Sequence, residues 1–172
     1  MTGSDREPLR RLVAARAVRT FSDQPVAPEV VRSLIDTARW TGSARNRQPW
    51  RFRIVTDRHT CRELAGLGTY ARHLADAPSV LVLFAADDGR RDTLFDVGRI
   101  AQSVVLAAAD VGLGCCPATI YPDSNVDRAG EILGVESSWR ARWCFSLGHP
   151  GRAATGTSAV PVGRRSVEDL LI

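Results

Sequence analysis

The sequence predicts an α/β or α+β fold, a central sheet flanked by helices, and three observations carry that prediction. Trp50, Phe52 and Ile54 alternate with Arg51 and Arg53, the period of a strand with one buried face. The run SVLVLFAA, residues 79–86, is apolar on both faces, as a strand covered on both sides must be. Between and around these runs lie stripes of helical period. At 172 residues and 44% hydrophobic content, the chain is expected to form a single domain over residues 1–172.

Taken in order, the first element is a helix over about 5–14, with Leu9, Leu12 and Val13 on one face. A second helix starts at Pro28, a residue that suits the first helical turn because its missing N–H has no partner there. Its apolar stripe is Val30, Val31, Leu34, Ile35 and Ala38. Strand 50–55 follows, then a short helix over 61–67 and the central strand 79–86. The longest helix is expected over 93–111, with Ile100, Val104, Val105, Leu106 and Ala108 wrapping most of its circumference. Gly112 and Gly114 stop it. A short helix over 127–133 precedes a last strand over 139–147, in which Trp139, Ala141, Trp143 and Phe145 alternate with Arg140 and Arg142.

Composition narrows the function. The net charge of +4 and pI of about 9.3 come from Arg alone, for the sequence contains no Lys. The arginines are dispersed among carboxylates without an aromatic-interleaved basic stripe, so no nucleic-acid partner is expected, while a phosphate-bearing ligand stays open. A polar N-terminus and the lack of a long apolar run predict a cytoplasmic protein with no membrane partner. Cys115 and Cys116 lack zinc-knuckle spacing, the three His are scattered, and no metal site is expected. There is no GxSxG elbow and no Walker loop. GLGCCP follows a predicted helix instead of a strand, which argues against a dinucleotide fingerprint. No carboxylate pair or His–carboxylate arrangement marks an acid–base centre, and no side chain is singled out as catalytic.

The segment 39–55, RWTGSARNRQPWRFRIV, carries the most information. Ser43, Asn46 and Gln48 precede the strand; Asn and Gln each carry donors and acceptors and can read the edge of a planar heterocycle. Pro49 sets the turn into the strand. Taken alone, these amides serve equally well to satisfy the loop's own backbone.

Four further segments shift that balance: ARAVRTF upstream, the PVAPE helix start, a long helix ending in GLG, and a basic tail GRRS. Together with SARNRQPWRF, in this order, they resemble the flavin-dependent nitroreductase family, whose members carry RRSxRxF-like, PVxxE and SxxNxQPWxF segments. The resemblance covers most of the chain. It implies a nitroreductase-like central mixed sheet, a homodimer, and FMN as cofactor with NADH or NADPH as co-substrate. It further implies ping-pong hydride transfer to nitroaromatic or quinone-type acceptors, chemistry that a cofactor carries while the protein positions and tunes it.

Site residues follow from the same resemblance. Arg16, Ala17 and Arg19 occupy the basic segment that lies against the flavin, with Arg19 the first choice for the cation beside the ring. Ser43, Asn46 and Gln48 match the motif loop, Asn46 foremost for the ring edge. Pro117, Ala118 and Thr119 match a loop running past the flavin, although a plain helix-to-strand connection is nearly as good a reading. Arg164 resembles the tail residue that reaches the phosphate, and Tyr121 is assigned to the substrate pocket. The short segment 87–94 stands where larger relatives insert covering helices, so a more open pocket is expected.

The chain departs from the pattern at Ala15 and Ala17, where RRS supplies an Arg and a hydroxyl. Loss of one charged hydrogen-bond partner weakens binding by about 1.5–3 kcal/mol. This motivates an alternative, a degenerate relative that binds flavin weakly or not at all and acts as a binding protein. A third reading is a thiol redox protein using Cys115 and Cys116.

Overall fold

The computed structural model describes residues 7–152 and 163–172. Nine regular elements follow one another: α1 (Glu7–Val13), α2 (Pro28–Ala38), β1 (Trp50–Val55), α3 (Arg58–Ala65), β2 (Ser79–Ala86), α4 (Arg91–Asp110), β3 (Gly114–Thr119), α5 (Asp123–Leu133) and β4 (Trp139–Gly148). The strands form one sheet in the order β1-β2-β4-β3. Every pairing among the described strands is antiparallel, which corrects the expected mixed sheet within the expected α/β class.

β2 lies inside the sheet and is buried along its length, as its two-sided apolar pattern requires. On one face α2 and α4 place Val31, Leu34, Val97, Ile100 and Val104 over Leu81, Leu83, Phe145 and Leu147. On the other, α3, α5 and the turn 72–74 bury Leu64, Leu74, Val126 and Ala129 against Val80, Val82 and Cys144. The strand bounds 50–55 and 79–86 and the helix 28–38 fall where the sequence puts them.

α3 begins earlier than expected because Asp57 caps it, its carboxylate accepting the Thr60 N–H at 2.8 Å. α4 buries one face only. Leu94 and Phe95 point outward, so its wrap-around hydrophobicity is not consumed within the chain. α1 buries nothing, and its Leu9 and Val13 are likewise exposed.

Two expectations fail in the second half of the chain. Residues 114–119, read as a connection, form the edge strand β3. In β4, a register shift opposite Leu83–Ala85 breaks the two-residue period. Trp139 and Ala141 therefore pack with the α3–α5 face, whereas Trp143 and Phe145 pack with the α2–α4 face.

The segment after α1 runs across the end of the β3–β4 pair. Val18 N–H donates to Cys115 O at 3.0 Å, and Ser22 N–H donates to His149 O at 3.0 Å. Glycine is required beneath it: a Cβ on Gly148 would lie 2.6 Å from Phe21, and one on Gly114 would lie 2.7 Å from Val18.

Candidate functional site

Among the described residues, every non-glycine residue with positive φ lies in the motif loop. Arg45, Asn46 and Gln48 all have positive φ, near 53°, 53° and 50°, which residues other than glycine adopt at a cost. Within the loop, Ser43 Oγ accepts the Gln48 N–H at 2.9 Å, and Gln48 Nε2 donates to Asn46 Oδ1 at 3.1 Å. Ser43 thus works as a brace inside the loop, while Asn46 and Gln48 are exposed and keep unused donor and acceptor capacity.

Sequence reasoning missed what holds this loop. Asp96, in α4 and 1% exposed, accepts the Ala44 N–H at 2.9 Å. Arg47 turns inward, donating to Asp88 Oδ2 at 2.8 Å and to Asp92 Oδ1. The signal was present as Asp88, Asp92 and Asp96 at four-residue spacing, but only the fold brings Arg47 to them.

Arg16, Ala17 and Arg19 are exposed on the segment that crosses the start of β3. Neither arginine makes an ion pair among the described residues. Beside them, half-buried His73 places Nδ1 2.8 Å from Oγ of the fully buried Ser146. Burial, and then the nearby Arg19 charge, push the His73 pKa below its ordinary value.

In β3, Pro117 and Thr119 are exposed and Ala118 is buried. The Cys115 carbonyl faces the free edge, toward Val18, and the Ile120 N–H faces Arg142 O on the inner side. By alternation, the Ala118 N–H belongs to the β4 ladder and that of Thr119 to the free edge; Pro117 has none. Of these three residues, Thr119 alone presents an N–H to the free edge.

Tyr121 is exposed and lines an open cleft of about 600 Å³ with Gly66, Thr69, Arg72 and Asn125. Arg164 is exposed, and its guanidinium donates to Gly163 O at 2.7 Å.

The motif loop and the basic segment do not converge within one chain. Cys116, Ser146, Val80 and Val55 form one row across the sheet, next to Val18. Trp50, which the motif loop feeds, stands at the far end of β1, five residues along and three strands over. That diagonal is roughly 22 Å.

Cys115 and Cys116 are both buried thiols on opposite faces of β3, as successive strand residues must be. Burial pushes the Cys115 thiol up to about 12 and raises that of Cys116 too, the reverse of an activated thiolate. No cluster of three or more His, Cys, Asp or Glu suited to a metal occurs among the described residues.

A family model described as the nitroreductase family matches residues 12–69 and 66–149. The chain belongs to the nitroreductase family. Among curated members, a protein of Archaeoglobus fulgidus, provisionally named NADH dehydrogenase/NAD(P)H nitroreductase, is 26% identical over 150 residues, 84% of this chain and 86% of its own length. A Streptococcus pyogenes protein, provisionally named NAD(P)H nitroreductase, is 45% identical over 125 residues, 70% of this chain and 60% of its own. Solved structures show the nitroreductase fold. A Parabacteroides distasonis protein superposes with a TM-score of 0.79 at 24% identity, covering 93% of this chain and 98% of that one. An FMN-dependent nitroreductase of Clostridium difficile gives 0.77 at 22%, covering 88% and 92%.

Proposed function

We propose that this nitroreductase-family chain is an FMN-dependent NAD(P)H oxidoreductase that reduces nitroaromatic or quinone-type acceptors by ping-pong hydride transfer. Its setting would be the cytoplasm, as a homodimer of single-domain chains. One observation carries the reading: the SxxNxQPW loop holds a backbone shape that leaves Asn46 and Gln48 exposed, braced by Ser43 within the loop and by Asp96 of α4 on the Ala44 N–H.

The residues present fit a flavin. The exposed amides of Asn46 and Gln48 match the mixed donor–acceptor edge of an isoalloxazine. Arg19 supplies a cation to stabilise negative charge on the reduced ring, and Arg16 and Arg164 supply bidentate donors for a phosphate. Ala17 contributes only backbone, the free-edge N–H of Thr119 a further donor, and Tyr121 a wall of the acceptor pocket. When bound, FMN supplies the two-electron chemistry; the protein binds, orients and sets the charge around it.

The roughly 22 Å between the two halves of this set supports the dimer, because a second copy can bring one chain's motif loop to the other's basic segment. So do the large apolar side chains left exposed on the chain, Leu9 and Val13 of α1, Trp40 (78% exposed) and Phe95 (70% exposed).

The test is the visible spectrum of purified protein with and without added FMN, followed by anaerobic NAD(P)H. A flavin spectrum that bleaches supports the oxidoreductase. A protein that stays colourless with added FMN overturns it in favour of the non-catalytic binding protein that Ala15 and Ala17 motivate.

A further inference from the structure

We propose that Arg47 is the positioning residue of the motif loop, clamping residues 43–48 to the start of α4 and to the turn before it so that Asn46 and Gln48 are held in place before any ligand arrives. The inference rests on the reading of that loop as a flavin contact. Between two exposed amide residues, the Arg47 side chain is 18% exposed and points into the protein. Its Nη1 reaches Asp88 Oδ2 at 2.8 Å and Thr93 Oγ1 at 3.3 Å, and its Nη2 pairs with Asp92. Asp96 Oδ2 lies 4.0 Å from Nη2 and itself accepts the Ala44 N–H, so one carboxylate ties side chain and loop backbone together.

The receiving side is braced as well. Thr93 Oγ1 lies 2.8 and 3.0 Å from the two Asp88 oxygens. Arg90 and Arg99 approach Asp88 and Asp96 at 3.9 and 3.7 Å, but neither belongs to the loop. Three carboxylates gathered at one helix start repel one another, and Arg47 is the loop's counter-charge. A planar fork can span several acceptors at once, which an ammonium cannot. The clamp opposes the relaxation that positive φ at Arg45, Asn46 and Gln48 otherwise favours. The short turn at Asp88 thereby acts as an anchor.

The experiment measures amide hydrogen exchange in FMN-free protein, and FMN affinity, for wild type, Arg47→Met, Arg47→Lys and the Asp88→Asn/Asp92→Asn pair. In Arg47→Met the Ala44 and Gln48 amides should exchange about tenfold faster or more, with β2 amides unchanged. FMN affinity should fall by roughly tenfold. Lysine should rescue only in part, and combining Arg47→Met with the Asp pair should add little. Unchanged loop exchange in Arg47→Met overturns the clamp. So does an affinity loss confined to the Arg47 variants, which would make Arg47 a direct contact. If wild type binds no FMN, the flavin reading falls while the exchange data still judge the clamp. Should Arg47→Met not fold, Asp88→Asn, on a surface turn, carries both readouts.

Discussion

His73 joins its 3-10 turn to the sheet through the buried Ser146, next to the segment that carries Arg19. Its folded pKa lies below the ordinary 6.5, so between the two values the unfolded chain binds more protons than the folded one. The contribution of His73 to stability is therefore fully present above pH 6.5 and is lost as pH falls through its lowered folded value. Urea midpoints from pH 7.5 down to 5 should show this fall, and His73→Gln should flatten it. Arg19→Ala should weaken FMN binding by roughly tenfold or more, a charged hydrogen bond being worth about 1.5–3 kcal/mol. Fluorescence titration of FMN checks it. Cys115→Ser with Cys116→Ser should leave reductase activity in place, since buried thiols with raised pKa values supply no nucleophile. Activity that vanished while flavin stayed bound would restore the thiol reading.

Among the elements, those whose periodicity comes from burial were legible. α2 shows Val31, Leu34 and Ala38 at helical spacing and β2 is apolar throughout, and both fall at the expected bounds. β3 was not legible because GCCPAT has no alternation of its own. It becomes a strand by pairing with β4, and Pro117 is tolerated there since its missing N–H faces the free edge. The β4 bulge was hidden for the opposite reason: a perfect two-residue period over 139–145 gives no sign that one residue drops out of the ladder. The segment crossing the β3–β4 pair depends on glycine. Gly148→Ala drives a Cβ to 2.6 Å from Phe21 and 2.8 Å from Pro78 and should cost about 1–3 kcal/mol, read as a lower urea midpoint. Leu34→Ala, emptying a buried position between α2 and the sheet, should cost about 2–5 kcal/mol.

For the whole molecule, the exposed Trp40 and Phe95 are where a second copy is expected to dock. Phe95→Arg with Trp40→Asp should shift sedimentation toward the monomer and lower FMN affinity, with far-UV circular dichroism unchanged. A dimer of unaltered affinity would remove that surface from the interface.

The α/β class, the two-sided burial of β2 and the family are written along the chain, because burial imposes periods and a motif keeps its chemistry in order. The rest came from the packing of distant segments. That packing turned Arg47 inward onto Asp88, Asp92 and Asp96, made a strand of 114–119, and set the motif loop and the basic segment at opposite corners of the sheet. These are relations between residues far apart in the chain, settled by strand order and by the charges that folding brings together, and no local pattern encodes them.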